Sequence, residues 1–78
     1  MTASTPGRVS LDSTTLAAAA YEGGGEKLQL DFRDGTRYEY SGVAPGLYRA
    51  LLRATSKGSF FNRYIRGRFH YAKLSTEN

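Results

Sequence analysis

The stretch from Tyr38 to Asn62 constrains this chain more than any other. It reads Tyr-Glu-Tyr-Ser-Gly-Val-Ala-Pro, then a helical pattern, a break across Thr55 to Gly58, and a restart at Phe60-Phe61-Asn62. A strand end, a turn, a capped helix and the start of a second helix thus follow one another. Most of the large apolar side chains available for a core lie here. The chain has 78 residues, 40% of them hydrophobic, which allows one small domain and no more. There is no cysteine, and His70 is the single histidine, so neither disulfides nor a metal cluster can staple the fold. Apolar packing and backbone hydrogen bonds must hold it.

Upstream of that stretch the pattern is β. Lys27 to Phe32 alternates strictly, placing Leu28, Leu30 and Phe32 on one face. Arg33-Asp34-Gly35-Thr36 follows, and Asp-Gly between two strand patterns predicts a hairpin with positive φ at both turn positions. Arg37 to Ser41 is the return strand, with Tyr38 and Tyr40 on one face and Arg37 and Glu39 on the other; Glu39 is placed to pair with a basic residue across the hairpin. Leu16 to Tyr21 reads as a further strand despite its four alanines, because the run is short and stops at Gly23-Gly24-Gly25. Alanines in a strand imply a crowded face. The glycines read as a turn, since the following lysine-and-serine helix of a phosphate loop is missing.

Downstream the period changes to helical. Pro45 sits at a first helical position, and Leu47, Tyr48, Leu51 and Leu52 make an apolar stripe over Gly46 to Thr55. Arg49 and Arg53, four apart, form its basic outer face. Gly58 supplies a break, and Ser56 or Ser59 caps a second helix over Ser59 to Arg66, which Gly67 ends. Arg68 to Leu74 alternates weakly and is either a final strand or an extended tail laid over the core.

The expected architecture is α+β: a three-stranded antiparallel meander followed by two short helices packed on one face, with a short C-terminal strand as the open alternative. Residues 1–10, small and polar with Pro6 and Gly7, read as a flexible tail; residues 11–74 as one domain; residues 75–78 as a polar end. The longest apolar run near the N-terminus, Leu16 to Tyr21, is far too short to cross a bilayer, so the expected setting is cytoplasmic, away from membranes.

Catalysis is hard to assemble from these residues. No paired carboxylates, cysteine nucleophile or metal cluster is present, and His70 between Phe69 and Tyr71 reads as a packing or stacking residue. No cofactor is implied. Binding is easier to assemble. Residues 1–40 carry four basic side chains against six acidic ones, net −2, whereas residues 41–78 carry seven against one, net +6. Six tyrosines and four phenylalanines are interleaved with that charge, although a small fold also needs Phe60, Phe61 and one of Tyr38 or Tyr40 for its core. Bases stack on aromatic faces and phosphates meet guanidinium groups in single-stranded nucleic-acid sites. The expected contacts are Arg49, Arg53, Lys57, Arg63 and Arg66 to phosphate, with Tyr38, Tyr40, Tyr64 and Tyr71, whichever are exposed, as stacking platforms. RNA is favoured over duplex DNA. The alternative is a protein-interaction module or a homodimer pairing through an edge strand or an aromatic patch.

Leu28-x-Leu30-x-Phe32, Asp34-Gly35, Tyr38-Glu39-Tyr40, Ser41-Gly42-Val43, Tyr48-x-x-Leu51, Ala54-x-Ser56-x-Gly58 and Phe60-Phe61-Asn62 with Ile65 closely resemble the KTSC domain family. That family is named for a module at the C-terminus of some lysyl-tRNA synthetases and also occurs as short stand-alone bacterial proteins. The resemblance covers roughly residues 10 to 72. It departs at Ala44, which separates Val43 from Pro45, and at Phe69-His70-Tyr71, where the family often has proline between two aromatics. The resemblance implies motif positions Tyr38, Tyr40, Ser56, Gly58, Phe61 and Asn62, with Asn62 expected to tie the helix to the hairpin or, alternatively, to read a base edge. It also implies RNA binding, by association with a synthetase.

Overall fold

The computed structural model describes residues 8–76. Five antiparallel strands form one sheet in sequential order: β1 (Arg8–Ser10), β2 (Leu16–Glu22), β3 (Lys27–Phe32), β4 (Thr36–Ser41) and β5 (His70–Thr76). Helix α1 (Pro45–Arg53) and a short helix α2 (Lys57–Phe60) lie between β4 and β5 in the chain. Helix α2 continues as one widened turn, Phe61–Ile65, in which Arg66 N–H donates to the Phe61 carbonyl at 2.8 Å.

The sheet therefore has two strands beyond the expected three. Part of the expected N-terminal tail is β1, where Arg8, Val9 and Ser10 pair with Ala20, Ala19 and Ala18; residues 1–7 lie outside the described residues. The alternative left open for Arg68 to Leu74 resolves as strand, and β5 takes in Ser75 and Thr76 of the expected polar end. The second helix starts two residues earlier than its periodicity implies, because Ser56 is the cap: its hydroxyl accepts from Ser59 N–H at 3.3 Å.

Cross-strand register places Tyr21, Leu28, Tyr40 and Tyr71 in one row, and Ala19, Leu30, Tyr38 and Lys73 in the next, on the face that the helices cover. Leu16, Leu28, Leu30, Val43, Leu51 and Ile65 are fully buried there. The opposite face is polar, with Asp31 accepting from Arg37 Nε at 2.8 Å and lying 3.4 Å from Arg8, while Lys27 meets Glu39 at 3.9 Å.

The alanines of β2 are explained on both faces. Ala19 is buried under the helical layer. Ala20 points the other way, and its neighbours on both sides, Arg8 and Gln29, hydrogen-bond to each other at 2.6 Å, closing over it. A longer side chain would break that bridge.

The β3–β4 turn departs from its expected geometry. Gly35 N–H donates to the Phe32 carbonyl at 3.0 Å and only Gly35 has positive φ, +93°. This is a three-residue loop, a type I turn closed by a left-handed glycine, instead of a two-residue turn with positive φ at both positions. Asp34 fills the remaining hydrogen bonds by accepting from the Thr36 backbone and hydroxyl at 3.0 and 2.7 Å.

Candidate functional site

Between the helical segment and the β3–β4–β5 side of the sheet runs a groove of about 610 Å³. Its floor is aromatic. Tyr38, Tyr40 and Tyr71 surround one another with centroids 5.7 to 6.4 Å apart. Phe61 meets Tyr40 and Phe32 edge-on at 5.7 and 5.3 Å. The strand period is what gathers them: Tyr38 and Tyr40 are two apart on β4, and Tyr71 is directly opposite Tyr40 on β5.

The rims are polar. The widened turn Phe61–Ile65 buries Phe61 and Ile65 and leaves Asn62 exposed; Arg66, four residues on, is exposed beside it. Arg66 Nη1 donates to Asn62 Oδ1 at 3.4 Å, so the Asn62 oxygen is engaged and its NH₂ donors are left for other partners. Asn62 does not tie the helix to the hairpin: Arg66 is its one side-chain partner among the described residues. At the end formed by the β3–β4 turn stand Asp34 and Thr36. The Thr36 hydroxyl first, then its backbone N–H, hold the Asp34 carboxyl below its ordinary range, so it stays ionised at neutral pH. Asp34 and Arg66 line the same groove without forming an ion pair with each other.

Tyr40 is 5% exposed. Desolvation, followed by the neighbouring Tyr38 and Tyr71, pushes its pKa up to about 12. Tyr71, by contrast, is 62% exposed. Of the two tyrosines on β4, Tyr40 is the one the core takes, and Tyr38 is half-buried.

A second, polar hollow of about 400 Å³ adjoins the groove and shares Thr15 and Asn62 with it. Hydroxyls of Ser13, Thr14, Thr55, Ser56 and Ser59 line it. Gly58 is needed at its wall, since a Cβ there would meet Thr15 Oγ1 at 2.9 Å and Thr15 Cβ at 3.2 Å.

Of the expected contacts, the groove thus collects Tyr38, Tyr40, Tyr71, Phe61, Asn62 and Arg66. Arg49 and Arg53 lie on the exposed side of α1, and Arg63 is exposed outside the groove. Lys57 lines the polar hollow and donates to the Ala54 carbonyl at 2.8 Å. Tyr64 is 47% exposed and packs at a tilt against Phe60, with ring centroids 4.8 Å apart; it does not line the groove. Sequence reasoning missed Thr15, Phe32, Asp34 and Thr36 as lining residues. The period-two face of β3 already contained Phe32; nothing in the sequence marked the others.

The KTSC domain model matches residues 12–69. The chain belongs to the KTSC domain family. A lysine–tRNA ligase of Nostoc punctiforme is 34% identical over 64 residues, which cover 82% of this chain and 11% of that protein. The chain therefore spans only about a tenth of the ligase. A protein of Stutzerimonas stutzeri is 36% identical over the same share of this chain and over 89% of its own length. The crystal structure of a KTSC domain protein from Yersinia pestis superposes with a TM-score of 0.88 at 28% identity, covering 91% of this chain and all of that one. Among the described residues no helix is long and apolar enough to cross a membrane.

Proposed function

We propose that this chain is a non-enzymatic module that binds single-stranded RNA, with RNA preferred over duplex DNA, in a bacterial cytoplasm. The observation that carries the reading is the groove: an aromatic floor of Tyr38, Tyr40 and Tyr71 beside a donor rim of Arg66 and Asn62. A base laid on Tyr71 gains stacking of about 1–3 kcal/mol. The Arg66 guanidinium lines the same groove and offers donors to the edge of that base. Arg49, Arg53 and Arg63 add attraction without sequence preference, in line with the +6 charge of residues 41–78. The similarity to a lysine–tRNA ligase agrees with an RNA setting.

Fluorescence anisotropy with labelled single-stranded RNA, tRNA and duplex DNA across a salt series tests the reading. A preference for RNA with affinity retained at physiological salt is expected. Binding that ignores nucleic-acid type and vanishes with salt would reduce it to a basic surface.

One observation favours a second reading. β5 is an edge strand with no neighbour beyond it among the described residues, and Tyr71 and Leu74 on it are 62% and 43% exposed. An edge of that length can add a partner strand. Concentration-dependent sedimentation separates the homodimer form of this reading from a monomeric RNA binder.

A further inference from the structure

The groove holds two opposite charges that do not neutralise each other: Asp34 at the β3–β4 turn and Arg66 on the helical segment. A carboxylate is out of place in a site that meets only phosphates, since it repels them. It becomes favourable if a ligand offers it N–H donors. The helical rim makes the reverse demand. Arg66 can only donate, and Asn62, its oxygen engaged by Arg66, presents its NH₂. A ligand that presents acceptors to one wall and donors to the other complements both.

Resting on the RNA-binding reading above, we infer that the groove selects guanine among the four bases. Guanine carries two acceptors, O6 and N7, on one edge and the N1–H and N2–H₂ donors on another. Arginine facing O6 and N7 is the commonest specific contact to this base. Adenine offers Asp34 only its N6–H₂ and offers Arg66 no adjacent pair of acceptors, where guanine has two donor groups and the O6/N7 pair. Uracil has one N–H flanked by two carbonyls, so its approach to Asp34 brings an oxygen against the carboxylate. Cytosine carries donor and acceptors on a single edge, whereas Asp34 and Arg66 belong to separate elements. Asp34 keeps one oxygen for this contact, because both hydrogen bonds from Thr36 go to Oδ1 and Oδ2 has no partner among the described residues.

The test uses the full chain and fluorescein-labelled oligomers in which one ribonucleotide is flanked by abasic spacers, so that the phosphates are constant. The central base is guanine, adenine, cytosine, uracil, inosine or 7-deazaguanine. Guanine is expected to bind about tenfold tighter than the other three natural bases. Inosine, lacking N2–H₂, and 7-deazaguanine, lacking N7, should each lose several-fold, and Asp34→Asn should narrow the gap between guanine and inosine. Equal binding of all bases that still depends on Tyr71 would overturn guanine selection while leaving the RNA site standing. Preference for another base, cytosine included, would overturn it as well. Failure of every oligomer to bind would overturn both readings.

Discussion

Tyr40 and Tyr71 face each other across β4 and β5 with centroids 5.7 Å apart, yet one is 5% exposed and the other 62%. The pair joins core to surface. Tyr40 packs against Phe61 from the helical layer, whereas Tyr71 sits on an edge strand. Substitutions at the two positions should therefore separate folding from binding.

Tyr71→Ala should weaken binding of single-stranded RNA about tenfold or more while leaving the thermal midpoint close to that of the parent. Tyr40→Ala should instead cost about 3 kcal/mol or more of stability, as for other large aromatic deletions in cores. Anisotropy titrations paired with urea denaturation measure both. Equal stability losses at the two positions would contradict the division.

Stability should be level up to about pH 9 and fall between roughly pH 10 and pH 12. The sign follows from Tyr40. Burial raises its pKa from 10.0 in the unfolded chain to about 12 in the folded one. Below pH 10 both states hold the proton; above it the unfolded state releases it first and is favoured. The loss from Tyr40 alone is roughly 2–3 kcal/mol once pH passes 12. Burial of Tyr21 and Tyr48 pushes their pKa values the same way. Urea midpoints measured against pH should show a shallower decline for Tyr40→Phe than for the parent.

Gly58→Ala should destabilise by about 1 kcal/mol, although alanine is the better helix former by a similar amount. The new Cβ would press on Thr15 Oγ1 at 2.9 Å and Thr15 Cβ at 3.2 Å, and the second of these cannot swing aside. Adding Thr15→Gly should restore most of the loss. A simple gain from Gly58→Ala in calorimetry would show that this approach is looser than the geometry implies.

Helix α1 starts at Ala44, whose backbone is extended and whose side chain can cap nothing. Ala44→Asp should add about 1 kcal/mol through a cap and a favourable charge at the helix start. Glu26, at φ +53°, is the one non-glycine residue with positive φ among the described residues. Glu26→Gly should be neutral or stabilising by up to about 1 kcal/mol, the reverse of the usual effect of glycine. Melting temperatures of the two variants report both effects.

The central strands and α1 were legible because their periods are unmistakable: Leu28, Leu30 and Phe32 at two, Leu47 and Leu51 at four. β1 was not, since three residues after Pro6-Gly7 carry no periodicity and take their place by pairing with β2 and through the contacts of Arg8 with Gln29 and Asp31. The widened turn was invisible for another reason. A change from four- to five-residue hydrogen bonding leaves the buried Phe61–Ile65 spacing intact, so the apolar pattern is silent about it. Half of the groove could be read from Tyr38, Tyr40, Phe61, Asn62, Arg66 and Tyr71. The rest depends on where the β3–β4 turn points, which brings Asp34 and Thr36 to residues far from them in sequence.

The most direct measurement is an amide and side-chain NMR titration of the isotopically labelled chain with single-stranded RNA. The account predicts the largest shifts at Tyr38, Tyr71, Asn62 and Arg66, with smaller ones at Arg49 and Arg53. Shifts confined to Arg49, Arg53 and Arg63, or none at all, would contradict it.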